Sequence, residues 1–222
     1  GDAFSIAFSG DADLVITGEL GEQFFLWEWV TALVGAALEI DPFNQPNVTE
    51  AKEATSALLA EWNGVLPEFA ADAIDGAVEI FGAGSDLTAA LRNFINEIPA
   101  GGYVAVMAYL DRSGDRDLAK LREIIARKSN RPVTFGWGPR FLHSTGQFHK
   151  GGQQNGAFLQ ITGVTNGDVV IPGQNFGFKT LIMAQALGDL RALAKRKYPL
   201  LRLHLSDRSA GIAQLLKAAE AL

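Results

Sequence analysis

Apolar positions recur along this chain at two different spacings, and the switching between them is the first sign of its fold. Leu20, Phe24, Trp27, Val30, Val34 and Leu38 follow one another at steps of three and four residues, the period of one helical face. Phe25, Trp29, Leu33 and Ala37 fill the flank beside that stripe, so a helix over residues 20–40 is apolar around much of its girth and is expected to be buried. Asp41-Pro42 ends it, because the residue before a proline avoids the helical region. A second helix is expected over residues 48–62. Residues 103–110 are continuously apolar, as in a central strand covered on both faces. Shorter strands are expected at 4–8, 13–17, 132–135, 157–162 and 169–171, with the turn signal Asn166-Gly167 between the last two. Helices are expected from a cap at Asp115 or Asp117 to residue 128, over 178–196, and from a cap at Ser206 or Asp207 to the end. In residues 200–205, Leu201, Leu203 and Leu205 share one face while Arg202 and His204 share the other. Strands alternating with helices predict an α/β fold, a layered and mainly parallel sheet with flanking helices.

Composition removes several classes of protein. Among 222 residues there is no cysteine, which excludes a disulfide scaffold and a thiolate metal site. The longest apolar run, residues 30–38, is too short to cross a bilayer, and no signal peptide is visible, so a soluble cytoplasmic chain is expected. His143 and His149 are six apart and no HExxH occurs, while residues 111–117 lack the spacing of a calcium loop; no metal or cofactor is expected. Lys195-Arg196-Lys197 is a short cluster at a helix end, where cations suit the dipole, and no stacking motif points to nucleic acid.

Charge adds an asymmetry that composition alone hides. Residues 1–98 carry −15 and residues 99–222 carry +9, within a total of −6. That split predicts two units, with an anionic ligand drawn mainly to the second. The methionines stand only at 107 and 183, and the chain is expected to be a portion of a longer protein.

Two stretches carry candidate chemistry. The first is Phe43-Asn44-Gln45-Pro46-Asn47-Val48-Thr49-Glu50-Ala51-Lys52, at a helix entrance; Lys52 is the only lysine among the first 119 residues. Either it pairs with Glu28, Glu50 or Glu53 at the surface, or it has a chemical task. Gln45 is either a polar loop residue or a ligand contact. The second stretch runs from Phe135 to Gly152 and gathers Arg140, His143, Ser144, Thr145, Gln147, His149 and Lys150 among glycines. Converging N–H groups with Arg and Lys suit a phosphate or a sugar, although neither GxxxxGK[ST] nor a GxGxxG after a strand is present. Each histidine could equally hydrogen-bond its own loop, and His204 reads as structural.

The first stretch resembles the second signature of the phosphoglucose isomerases: Phe43, Asn44, Gln45, Val48 and Lys52 fit in register, while Asn47 and Thr49 stand where the family prefers Gly and Glu. Gly138-Pro139-Arg140, Leu142 to Gln147 and His149 to Gly152 are similar to the isomerase part of bacterial transaldolase/glucose-6-phosphate isomerase fusion proteins, as are residues 22–29, 176–190 and 201–205. The resemblance, weakest over residues 66–98, implies sugar-isomerase (SIS) architecture, with residues 1–65 the end of one such domain and 99–222 a C-terminal α/β domain. Residues 66–98, acidic and rich in Ala with Gly76, Gly82 and Gly84 breaking them, are expected to be a helical linker. It implies interconversion of glucose 6-phosphate and fructose 6-phosphate by ring opening and an enediol. Lys52 and His149 then take catalytic roles, and Gln45, Arg140, His143, Ser144, Thr145, Gln147 and Lys150 contact substrate. The family's glutamate base, in a Ser-Asn-Gly-Lys context, and its Ser/Thr phosphate loop do not occur in these residues. The chain is therefore expected to need the N-terminal remainder of the isomerase, to form a homo-oligomer, and to be inactive alone, with its site between the acidic and basic units. The alternative is a non-catalytic module that binds sugar phosphates.

Overall fold

Glu19 opens the first long helix through a reciprocal capping arrangement, its backbone N–H donating to Glu22 Oε2 at 2.9 Å. This helix, α1 (Leu20–Ala37), follows two short parallel strands, β1 (Ile6–Ala7) and β2 (Leu14–Val15). The computed structural model describes residues 4–222, and the side chain of Ser144 lies outside that description. The chain divides into two compact units, one ending at Asn44 and the other Gln45–Leu222.

The burial expected of α1 is not what the structure shows. Of its residues only Gln23 and Gly35 are buried, while Phe24 and Phe25 are each 64% exposed. The cause is arithmetic of surface: within its own unit two strands of two residues cannot cover an 18-residue helix that is apolar on nearly every side.

The second unit contains α2 (Pro46–Trp62), β3 (Ala73–Asp75), β4 (Val78–Phe81), α3 (Leu87–Asn96), β5 (Tyr103–Ala108), α4 (Leu121–Ser129), β6 (Val133–Trp137), α5 (Ser144–Gly151), β7 (Gly156–Gly163), α6 (Phe178–Ala194), β8 (Leu200–Leu205) and α7 (Arg208–Glu220). Six strands form one sheet in the order β3-β4-β8-β7-β5-β6. The four strands from β8 to β6 are parallel, and β3 and β4 join at one edge in antiparallel sense. The fold is the expected α/β layered sheet with flanking helices.

Alternation along each strand sorts the core into layers. Val104 and Val106 of β5, Leu159 and Ile161 of β7, and Leu203 and Leu205 of β8 pack on one face with residues of α3, α4 and α7. Ala105, Met107 and Phe158 turn to the other face, where Phe141, Ala186, Leu193 and Tyr198 meet them. Beyond that layer, α2 lies on α6 through Leu58, Trp62, Met183, Ala184 and Leu187. At Gly188 the two helices come so close that a Cβ would stand 2.9 Å from the Thr55 backbone nitrogen.

Several expectations need correction. Residues 66–98 are not a helical linker: β3 and β4 form a hairpin across Gly76, which has φ of +56°, and Val78 and Ile80 point into the main core. Asp86 then caps α3 by accepting from the Ala89 N–H, and Leu87, Ala90, Leu91 and Phe94 join the same core. A four-residue alternation inside an acidic, Ala-rich stretch was too short to stand out by period. A boundary at residue 65 is also absent, since α2 packs on α6 within one unit. Residues 169–171 make only an isolated bridge, Val170 with Gly177.

Chain order places a crevice. From β5 the chain crosses through α4 to β6 on one side, then returns through α5 to β7 on the other side of β5. Ligands of open α/β sheets bind outside the carboxyl ends of the strands at such a reversal.

Candidate functional site

The second motif stretch begins in β6 and runs past its carboxyl end. The chain leaves β6 at Trp137, makes a tight turn through Arg140–Leu142, and enters α5 with His143 at the cap position. Pro46 starts α2 at the first helical position, where a missing N–H costs nothing. From there Val48, Ala51, Lys52, Thr55, Ser56 and Leu59 recur at helical spacing along one stripe. That stripe forms one wall of a cleft of about 590 Å³, whose other walls are Pro139, Arg140, Leu142 and His143, together with Leu181 and Gln185 of α6. Lys52, Arg140 and His143 thus come together within one unit, not between an acidic and a basic one.

Lys52 does not take the bland alternative of a surface ion pair. Glu50 is claimed by Arg196, whose Nη2 donates to Glu50 Oε2 at 2.7 Å, and among the described residues of its unit Lys52 has no ion pair. Hydrogen bonding from Arg196 holds the Glu50 carboxyl below its ordinary range. Lys52 and Arg140 are both exposed on the cleft and make no ion pair among the described residues of their unit.

The walls are pinned to each other by polar contacts. Gln147 Oε1 accepts from the Asn47 N–H at 2.9 Å, and Gln147 Nε2 donates to Asn47 Oδ1 at 2.8 Å. These bonds fasten the start of α2 to α5. Arg196 adds a second tie, donating from Nε to the Lys150 carbonyl at 2.9 Å while holding Glu50 of α2. Between α5 and α6, Lys150 Nζ lies 2.6 Å from Asp189 Oδ1, with both side chains at 0% exposure. Burial raises the Asp189 carboxyl above its usual range, against the opposing pull of the Lys150 ammonium. Such a pair contributes little net stability, but breaking it strands a charge in the core.

The remaining expected site residues fall elsewhere. His149 is 3% exposed, ringed by Tyr103, Phe141, Phe148 and Phe158, with Nδ1 unpartnered. Burial lowers its pKa to about 4, so the imidazole is neutral at pH 7. It faces the aromatic layer, and the histidine on the cleft is His143. Lys150 is equally buried and serves Asp189. Gln45 and Thr145 are exposed and do not line the cleft. Ser144, on α5, has its side chain outside the described atoms. Gln147 holds the scaffold through Asn47.

Sequence reasoning gave no role to Asp189, weighed Glu50 only as a partner of Lys52 and Arg196 only as a cation at a helix end, and missed the pairing of those two across 146 residues of chain. A usable signal existed at Asp189, a carboxylate set between Ala186-Leu187-Gly188 and Leu190. No group of three or more acidic or histidine side chains among the described residues could hold a metal ion. Among the same residues no helix is long and apolar enough to cross a membrane.

No protein-family model matches the chain. No curated protein matches it either. Among solved structures, it is similar to a hypothetical protein from Thermus thermophilus, with 17% identity and a TM-score of 0.47 over 59% of this chain. The matched part is 35% of that protein, so this chain spans well under half of its length.

Proposed function

We propose that the cleft binds a phosphosugar, and that the chain is the C-terminal part of an isomerase interconverting glucose 6-phosphate and fructose 6-phosphate. One observation carries this reading: Lys52, Arg140 and His143, drawn from two separate motif stretches, line the same cleft. Arg140 offers the planar fork that suits a phosphate. His143 and Lys52 are a proton carrier and a cation of the kinds that ring opening requires. One takes the proton from the anomeric hydroxyl while the other supplies a proton or positive charge to the ring oxygen.

The enediol step makes a further demand. Moving a proton between C2 and C1 needs a base, and no carboxylate among the described residues lines the cleft. In this reading the base comes from the N-terminal remainder of the isomerase, and the chain by itself opens rings without isomerising them. The same observation favours the second reading, a sugar-phosphate-binding module without chemistry.

Anomer exchange separates the two. Ring opening and closure interconvert the α and β forms of glucose 6-phosphate, which magnetisation-transfer NMR follows directly. Acceleration by the chain, lost in Lys52→Ala and in His143→Ala, is the expected result. Saturable binding without acceleration supports the binding module. Neither binding nor acceleration would overturn both readings.

A further inference from the structure

A second cavity, of about 370 Å³, opens beside the carboxyl ends of β7 and β8 and shares no lining residue with the cleft. Its floor is Arg202 of β8, which is 6% exposed and has no hydrogen bond or ion pair among the described residues. Its Cζ lies 3.7 Å from the ring centroid of Phe81 and 5.2 Å from that of Phe69. Aromatic rings attract a guanidinium through its face and accept none of its N–H bonds. The Nε is sealed without a partner; Gln160, opposite Arg202 in the β7 register, gives its amide N–H to the Ala186 carbonyl, while its Oε1 is also unpartnered and makes no hydrogen bond to the guanidinium. Glu79, opposite His204, makes no ion pair with Arg202, although its negative charge favours the guanidinium against the cost of burial. A buried guanidinium without an acceptor is expensive to keep, and its terminal amino groups are the part left to face the cavity.

The rest of the lining says what would relieve it. Lys179, exposed at the start of α6, supplies a second positive charge on the rim. Thr162 Oγ1 and His204 Nδ1 are 2.8 Å apart, forming a polar wall. Glu68 and Glu79 balance the two cations in formal charge, so an anion is held by direct contact with Arg202 and Lys179, while the carboxylates offer acceptors to hydroxyl donors. The cavity includes Tyr109, directly after β5, and Gly163 to Thr165 at the end of β7, the two strands that flank the reversal of chain order.

We propose that this cavity is a second ligand site, in which Arg202 and Lys179 hold the carboxylate or phosphate of a small hydroxylated anion while Glu79 accepts from its hydroxyl groups. The site stands independently of the phosphosugar reading of the cleft. NMR titration of isotopically labelled protein with glycerate, glycerol 3-phosphate and glycerol tests it. At least one of the two anions is expected to shift the Arg202 Nε–H and Lys179 resonances saturably, with glycerol inert; which anion binds more tightly identifies the head group. Arg202→Met is expected to weaken binding at least tenfold, and Lys179→Ala, on the exposed rim, several-fold. Lys52→Ala should leave these shifts unchanged. No saturable shift with either anion, equal shifts with glycerol, or undiminished binding by both Arg202→Met and Lys179→Ala would overturn the proposal. Should Arg202→Met not fold, the wild-type Arg202 Nε–H signal and Lys179→Ala decide the matter.

Discussion

His149 makes stability depend on pH between about 6.5 and 4, a window it shares with His204, whose pKa burial also lowers to about 4. Its imidazole is enclosed by aromatic rings, and burial lowers its pKa from 6.5 to about 4. In the unfolded chain the ring takes up a proton near pH 6.5, while in the folded protein it stays neutral until about pH 4. The contribution to stability is therefore complete above pH 6.5 and falls as pH drops toward 4. At roughly 1.4 kcal/mol for each factor of ten in proton affinity, the loss reaches about 3 kcal/mol at pH 4. Replacing His149 by Leu, close to it in size, removes the term. His204 and the carboxylates elsewhere act alike in both proteins, so the difference between the two curves isolates it. Urea unfolding at intervals from pH 7.5 to pH 4 is the assay. The wild type is expected to lose about 3 kcal/mol more than His149→Leu across that range. Parallel curves would refute the reasoning and place the ring in contact with water or with an acceptor.

Other consequences concern the scaffold of the second unit. Lys150→Met strands the Asp189 carboxylate in the core and is expected to cost about 3–5 kcal/mol by urea unfolding. Adding Asp189→Leu should recover most of that loss, and a single variant within about 1 kcal/mol of wild type would contradict the pairing. Gln147→Ala removes both bonds to Asn47 and should cost about 1–2 kcal/mol; a double-mutant cycle with Asn47→Ala that shows no coupling would break this link. Gly188→Ala drives a methyl group into the Thr55 backbone and should cost about 1–3 kcal/mol in stability. It should also weaken phosphosugar binding by displacing α2, and unchanged stability and affinity would argue against close packing there.

Much of the fold was legible because period and burial agree in it. The continuous apolar run at 103–110 became the central β5, and the alternation at 200–205 put Leu201, Leu203 and Leu205 in the core with Arg202 and His204 on the opposite face. Where a segment was short, composition outweighed period, as when acidic residues hid the hairpin of β3 and β4. For α1 the pattern was read correctly as a helix, yet its burial depends on neighbours that its own unit does not contain. In the cleft, local motifs pointed to Lys52, Arg140 and His143, because residues close in sequence share a turn or a helical stripe. The pairings of Lys150 with Asp189 and of Glu50 with Arg196 were hidden, since no local pattern encodes contacts between distant helices. His149 lies in the aromatic core and not on the cleft, because its ring packs against Phe141 and Phe158, partners that no local motif encodes.

Whether the two motif stretches form one phosphosugar cleft is tested most directly by calorimetry. Fructose 6-phosphate is titrated into the chain, and into Lys52→Ala, Arg140→Ala and His143→Ala. Saturable binding by the wild type, weakened about tenfold or more by Arg140→Ala (a lost charge-assisted phosphate contact) and measurably by the other two, is the predicted result. Absence of binding, or an affinity that all three variants retain, would contradict it.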